Sequence, residues 1–96
     1  MGNELSGRQA VSSPQPHPET VPLSTLQPGE QGVVVKLAAG RNLTSRMASL
    51  GFTPGAHVMV VQNFGRGPLI AIVRAARIAL GRGEAARIYV RRSPSG

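Results

Sequence analysis

Side chains able to carry acid–base chemistry are scarce in this chain and lie far apart in the sequence. Its 96 residues include four acidic residues and two histidines, and neither cysteine nor aspartate occurs. From Val21 onward, Glu30 and Glu84 are the only carboxylates. A general acid–base pair needs two groups held close together, and a Ser–His–Asp arrangement needs an aspartate. The sequence therefore predicts no catalytic residue, and we expect a protein that is not an enzyme.

The two histidines do not form the pattern of a metal site. His17 stands in a stretch rich in proline and serine, and His57 stands alone in a strand-like segment. Ferrous iron sites combine imidazole with carboxylate ligands, and His57 with Glu30 or Glu84 would be a poor set of two. The absence of cysteine excludes thiolate ligands and disulfides. We expect no metal site, and we interpret His57 as a surface or half-buried strand histidine.

The glycine-rich segment Gly65-Arg66-Gly67 does not match a phosphate-binding loop. It lacks the Gly-Lys-Ser/Thr ending of such loops, and it does not open a helix. The pattern is typical of a hairpin connection between two strands. The sequence therefore predicts no bound cofactor.

A basic surplus is the clearest compositional signal. Lysine and arginine number 11 against four acidic residues, which gives a net charge of +7. Such a balance indicates an acidic partner, which could be nucleic acid, anionic lipid or an acidic protein surface. The basic residues are spread along the chain, and only Arg91 and Arg92 are adjacent. With two phenylalanines and one tyrosine available for base stacking, the composition disfavours nucleic acid as the partner.

The polar ends of the chain frame one small domain. Residues 1–20 lack an apolar period and cannot offset the entropy of ordering, so we expect a disordered N-terminal tail. Residues 93–96 are expected to form a disordered C-terminal tail, which leaves residues 21–92 as the domain. No apolar run approaches the ~18–20 residues of a membrane span. The first residues lack the apolar core of a secretory signal, so we expect a cytoplasmic protein.

Between the tails, the pattern predicts one short helix among strands. Leu43, Met47 and Leu50 share one helical face, Gly51 is typical of a helix end, and Thr53-Pro54-Gly55 is a turn signal. A turn or one helical turn is predicted over residues 81–86. The predicted strands span residues 31–38, 56–64, 69–74, 77–80 and 87–92. We predict a mainly β fold, a small SH3-like five-stranded barrel with one short α-helix; an OB-fold, which usually has longer strands, is the alternative.

The order of these motifs resembles the FeoA family, the small cytosolic partner of the bacterial ferrous iron transporter FeoB. The resemblance rests on L-x-x-L-x-P-G-E at Leu23–Glu30, on S-L-G-F-T-P-G at Ser49–Gly55, and on A-L-x-x-x-E-A-x-x-I-x-V at Ala79–Val90. It implies an SH3-like barrel and a non-enzymatic accessory role in iron uptake. It also implies contact with the GTPase-containing cytosolic part of FeoB, which would recruit the protein to the inner membrane.

A second resemblance leaves an alternative function open. The same domain is similar to the C-terminal module of metal-dependent repressors of the diphtheria toxin repressor type. The alternative is therefore a nucleic-acid-binding barrel or a regulatory module of that type. Steep salt dependence of oligonucleotide binding would favour this alternative.

Alternation along two strands, together with the FeoA resemblance, predicts a partner-binding surface. Val58 and Val60 should point inward opposite Leu69, Ala71 and Val73. The outward residues should then form an apolar patch: Met59, Val61, Ile70 and Ile72. Such a patch is unusual unless something covers it. Three covers are possible: the segment Val21–Leu26, a second copy of the chain in a weak homo-oligomer, or a partner protein.

The solvent face of the predicted helix is the second candidate surface. Leu43, Met47 and Leu50 should pack onto the barrel, which leaves Arg41 and Arg46 exposed. These two arginines could meet acidic groups on a transporter's cytosolic domain, although a solvated helix face needs no partner.

Overall fold

A computed structural model describes residues 20–93 of the chain. The elements are named in chain order, with a 3-10 turn over Leu23–Thr25 following the first strand. The strands are β1 Thr20–Pro22, β2 Gln31–Leu37, β3 His57–Gln62, β4 Leu69–Val73, β5 Ala76–Leu80 and β6 Ile88–Arg92. The helices are α1 Arg41–Ser49 and the single-turn α2 Arg82–Ala85.

The strands form one antiparallel sheet in the order β1-β6-β2-β3-β4-β5. The sheet has six strands over residues 20–93, whereas the sequence predicts five. The additional strand is β1, in which Val21 pairs with Val90 of β6. Thr20, which the sequence assigns to the disordered tail, lies in this strand opposite Arg91. The other predicted strands are present with ends that differ by one or two residues.

Two bulges shape the sheet. The register of β2 against β6 shifts between Val34 and Lys36, and that of β3 against β4 shifts between Val60 and Gln62. A bulge adds one residue on one strand and increases the local twist. The shift in β3 places Gln62, rather than Val61, opposite Ile70.

Alternation in β3 and β4 sets the core. The inward positions predicted from the sequence are all buried: Val58, Val60, Leu69, Ala71 and Val73. The predicted helical face is confirmed as well, because Met47 is fully buried while Leu43 and Leu50 pack against the core. Leu23 and Leu26, from the segment after β1, are also fully buried in this core.

The end of α1 follows the predicted glycine stop. Gly51 has φ +107°, a conformation that L side chains rarely adopt. The Gly51 amide donates to the Ala48 carbonyl, and the Phe52 amide donates to the Met47 carbonyl, both over 3.0 Å. These are the two hydrogen bonds of a Schellman motif, whose apolar contact joins residues such as Met47 and Phe52. Phe52 is therefore directed into the core, where it is fully buried.

Residues 1–19 and 94–96 lie outside the described part of the chain, so the disordered tails stay a prediction. At the described C-terminal end, the Ser93 amide donates to the Gln31 carbonyl over 2.9 Å and extends the β2–β6 ladder. Within residues 20–93, no helix has the length and apolar character needed to span a bilayer.

Candidate partner-binding surface

The outward side chains of β3 and β4 form the surface that the sequence predicts as a partner site. We call Met59, Val61, Ile70 and Ile72 the outer face. Met59 lies opposite Ile72 in the ladder, and Ile70 lies opposite Gln62. All four apolar residues are half-buried. Met59 and Ile72, which are directly opposed, shield each other across the strand pair.

The segment Val21–Leu26 does not cover the outer face. Leu23 and Leu26 are buried among the inward side chains, and Val21 packs against that same core. Of the three covers considered from the sequence, cover by this segment is therefore wrong. A second copy of the chain or a partner protein stays open as the cover.

A shallow concavity of about 260 Å³ lies at one end of the outer face. Its lining residues are Gln31, His57, Val58, Met59, Ile72, Arg74 and Ala75. His57 is exposed, as a strand histidine at the surface would be. The concavity joins two outer-face side chains to an arginine, so it offers an apolar floor beside a positive charge.

The Arg74–Ala75 turn beside this concavity is strained. It joins β4 to β5, and its two residues have φ values of +53° and +65°. Non-glycine residues adopt this region at a cost, and strain of this kind clusters at functional sites. Arg74 lies against Gly51, and its Nη2 donates to Thr53 Oγ1 over 3.4 Å. The predicted strands 69–74 and 77–80 leave a break here but assign Arg74 to a strand, since arginine is not typical of a turn.

The loop Asn63–Pro68 lies at the other end of the outer face, and the side chain of Asn63 anchors its start. The Asn63 side chain donates to the Ser24 and Leu26 carbonyls over 2.9 and 2.7 Å. Its Oδ1 accepts from the Gly65 amide over 3.1 Å and from Arg82 Nη1 over 2.8 Å. Beyond this anchored base, an open cavity of about 710 Å³ is lined by Gln62, Phe64, Arg66, Gly67 and Pro68.

Phe64 is the most exposed large hydrophobic residue of the described chain, at 75%. Sequence reasoning missed it, because the strand predicted over residues 56–64 included this ring. The observed strand β3 ends at Gln62. The neighbouring Asn63 and Gly65, both favoured in turns, were the signal that could have separated Phe64 from the strand.

Charge over the described residues is strongly asymmetric. Glu84 pairs with Arg46, and Glu30 pairs with Arg92, whose Nε lies 3.4 Å from Glu30 Oε2. Both described carboxylates are thus engaged with arginines of the same chain. The exposed arginines are Arg41, Arg46, Arg66, Arg74, Arg77, Arg87 and Arg91.

The two helix arginines predicted as partner contacts therefore differ. Arg46 forms its ion pair with Glu84 while its side chain is 61% exposed. Arg41, at the start of α1, is exposed and forms no ion pair within residues 20–93. Arg41 is thus available to pair with an acidic group of another molecule.

No cluster of three or more potential metal-ligating side chains occurs within residues 20–93. Glu30 and Glu84 serve local structure instead. Glu30 Oε1 accepts from the Gln27 amide over 2.7 Å, and Glu84 Oε1 accepts from the Gly81 amide over 3.0 Å at the start of α2. His17, the other histidine, lies outside the described residues.

Comparison with known proteins places the chain among small iron-transport proteins. The model of a family described as the FeoA domain matches residues 21–92. The chain is 36% identical over 69 residues to an Fe(2+) transport protein A of Methanocaldococcus jannaschii. That match covers 72% of this chain and 83% of the relative.

Solved structures agree on the fold. A crystal structure of an iron uptake regulatory protein (FeoA) is 40% identical, with a TM-score of 0.75, and the match covers 78% of this chain and all of that one. A zinc complex of Stenotrophomonas maltophilia FeoA, described as a prokaryotic SH3 domain protein, is 33% identical with a TM-score of 0.64. It covers 71% of this chain and 86% of that one. The predicted SH3-like fold class is confirmed.

The likeness to metal-dependent repressors is one of fold alone. A manganese-dependent transcriptional repressor has a TM-score of 0.72 at 22% identity, and the match covers 81% of this chain and 44% of that chain. At this identity, the comparison carries no function from the repressor to this chain.

Proposed function

The chain belongs to the FeoA family of ferrous iron transport accessory proteins, and from that premise we propose that it contacts an FeoB-type transporter. The contact is with the cytosolic, GTPase-containing part of the transporter, and the protein itself performs no catalysis. It works in the cytoplasm and reaches the inner membrane through this partner.

The outer face is the proposed contact surface. The observation that supports this assignment is the cross-strand pair Met59–Ile72. Together with Arg74, these two residues line a concavity of about 260 Å³. A groove that combines apolar floor and positive rim fits a partner segment carrying aliphatic and acidic side chains. Val61 and Ile70 extend the apolar contact along the strands.

The exposed Arg41 and Arg46 form a second, electrostatic contact. An exposed arginine contributes little to affinity by itself but raises the rate of association with an acidic surface. Arg41 is expected to contribute more than Arg46, because Glu84 already pairs with Arg46.

The effect on transport follows from differential affinity. A bound protein shifts a transporter between conformations only if it binds one conformation more tightly than the other. The proposed accessory role therefore requires that the outer face recognise a surface present in one state of the transporter.

A binding assay tests this function. The full chain is titrated against the cytosolic domain of its co-encoded transporter and against the full-length transporter. Met59→Glu and Ile70→Glu should each weaken binding by about tenfold or more, since a carboxylate is introduced into a desolvated contact. Val35→Glu is the matched control, because Val35 is 37% exposed and lies on β2 at its bulge against β6.

Circular dichroism must show that all three variants are folded. Absence of binding by the folded wild-type chain to either transporter form contradicts the function. The nucleic-acid alternative instead predicts oligonucleotide binding that weakens steeply as salt is raised.

A further inference from the structure

We infer that the loop Asn63–Pro68 is a preformed docking site for a short segment of the partner in which an apolar side chain stands next to a carboxylate. The apolar side chain enters the cavity between Phe64 and Pro68, and the carboxylate pairs with Arg66. This inference rests on the proposed function, and it assigns to the interface a loop at the end of the outer face.

The exposure of Phe64 is the first argument. Phe64 is 75% exposed, while the other phenylalanine of the chain, Phe52, is fully buried. An exposed aromatic ring lies in a favourable position for a binding contact because it buries a large apolar area when a partner covers it. The adjoining cavity of about 710 Å³ is large enough to receive a side chain beside the ring.

The anchored start of the loop is the second argument. Asn63 forms four hydrogen bonds that tie the start of the loop to the Leu23–Leu26 segment, to Gly65 and to Arg82. Gly65 and Gly67, with φ +83° and +69°, complete the turn. A loop that is already ordered loses little conformational entropy when it binds. The start of the loop, next to the ring, is therefore fixed before a partner binds.

The charge at the loop defines the chemistry of the occupant. Arg66 is exposed, and within residues 20–93 it forms neither an ion pair nor a hydrogen bond. The nearby Arg82 is already bonded to Asn63. One available guanidinium beside one aromatic ring fits a single carboxylate next to a single apolar side chain.

The presence of one exposed ring and one available arginine favours a protein segment over other classes of partner. Single-stranded nucleic acid is held by a series of stacked aromatic rings along a basic groove. A lipid surface is held by a large apolar face with a basic cluster. The loop offers one ring and one available arginine, which is the scale of a peptide contact.

The loop also continues the outer face. Gln62, which lines the cavity, lies opposite the outer-face residue Ile70 in the β3–β4 ladder. A partner segment that lies along the outer face would therefore reach the loop without a change of direction.

A single fluorine label tests the inference. The chain contains no tryptophan, so Phe64→Trp grown with 5-fluorotryptophan carries one label at the proposed site. The full labelled chain is titrated with the unlabelled cytosolic domain of the transporter. We expect a saturable change of the fluorine resonance and retained affinity for this aromatic replacement.

Two further variants measure the contribution of each side chain. Phe64→Ala and Arg66→Glu should each weaken binding by about tenfold or more. Arg87→Glu is the charge-matched control, because Arg87 is exposed and lies between α2 and β6. It should change affinity by no more than about twofold, as expected for a charge outside the contact.

The outcomes separate this inference from the function on which it rests. Wild-type chain that fails to bind the transporter domain overturns both. A second outcome is that the wild-type chain binds and Met59→Glu abolishes binding, while the fluorine resonance does not change and Phe64→Ala binds with unchanged affinity. This outcome overturns the loop site but supports the proposed function. The fluorine resonance could instead change when the labelled chain is concentrated by itself, or when anionic vesicles or an oligonucleotide are added. Such a change overturns the inference and shows that the loop contacts a second copy of the chain, a lipid surface or nucleic acid, respectively.

Discussion

The two phenylalanines of this chain lie beside glycines with positive φ, yet they differ in solvent exposure. Phe52 follows Gly51 and is fully buried, while Phe64 precedes Gly65 and is 75% exposed. Local residue types are thus similar in the two regions. The difference shows that a neighbouring glycine does not by itself decide whether a ring meets the core or solvent. At Phe52, the Schellman motif that ends α1 directs the ring into the core.

The two regions are also held in place differently. Around Phe52, backbone hydrogen bonds close α1, and a Pro54-Gly55 turn leads directly into β3. Around Phe64, one side chain, Asn63, supplies the hydrogen bonds. The first region is therefore built for stability. The second keeps its ring available while its base is fixed, and this contrast can be tested by substitution.

The largest expected effect is that of Phe52→Ala. Removal of a fully buried aromatic ring leaves a cavity and should lower the free energy of unfolding by about 3–5 kcal/mol. Urea denaturation followed by circular dichroism measures the change. Because small domains have only about 5–15 kcal/mol of stability, this variant could be largely unfolded, and Phe52→Leu is the milder companion. A loss below about 0.5 kcal/mol in Phe52→Ala, within the range of surface substitutions, would contradict the burial of this ring.

The next effect is that of Gly51→Ala, with Gly55→Ala as its matched control. Both glycines have positive φ, +107° and +93°, but an added Cβ would lie 2.8 Å from Arg74 Cδ at Gly51 and meets nothing within 4 Å at Gly55. An alanine held at positive φ lowers the free energy of unfolding by about 1–2 kcal/mol, even where its Cβ meets no other atom. Gly51→Ala should therefore lose more stability than Gly55→Ala in thermal or urea unfolding.

The difference between the two glycine variants measures the contact with Arg74. If it arises from that contact, adding Arg74→Ala should recover part of the loss in Gly51→Ala and none of the loss in Gly55→Ala. Equal losses for the two glycine variants would show that Arg74 yields freely.

A loss of similar size is expected for Asn63→Ala. The substitution leaves the carbonyls of Ser24 and Leu26 without their side-chain donor, and loss of a partly buried hydrogen-bond partner costs about 1–3 kcal/mol. Asn42→Ala, an exposed asparagine on α1, is the control. Comparable unfolding free energies for the two variants would contradict the anchoring role of Asn63.

Local periodicity was sufficient to predict most of the fold. The spacing of Leu43, Met47 and Leu50 predicted the helix, and the period of two in β3 and β4 predicted which residues enter the core. These signals depend on near neighbours in the sequence. The outer face is the complement of the buried positions, and the same alternation predicted it together with the FeoA resemblance.

Long-range contacts explain what the sequence did not predict. Strand β1 has three residues, too few for a period, and it is defined by pairing with β6 at the other end of the domain. The anchor of the Phe64 loop depends on bonds from Asn63 to carbonyls 39 and 37 positions away. The pairing of Arg46 with Glu84 spans 38 positions, so the sequence pattern also could not show that one of the two helix arginines has an acidic partner within the chain.

The smallest expected change in the free energy of unfolding is that of Phe64→Ala. This variant tests whether Phe64, unlike Phe52, is dispensable for folding. An exposed residue outside a packed contact typically changes the free energy of unfolding by no more than about 0.5 kcal/mol. The same urea experiment that reports a large loss for Phe52→Ala should therefore leave Phe64→Ala close to the wild type. A loss above about 1 kcal/mol would show that the ring packs in solution against the loop or a second copy. A stable Phe64→Ala variant, by contrast, means that folding does not require an aromatic ring at this position, which leaves the ring available for the binding contact proposed above.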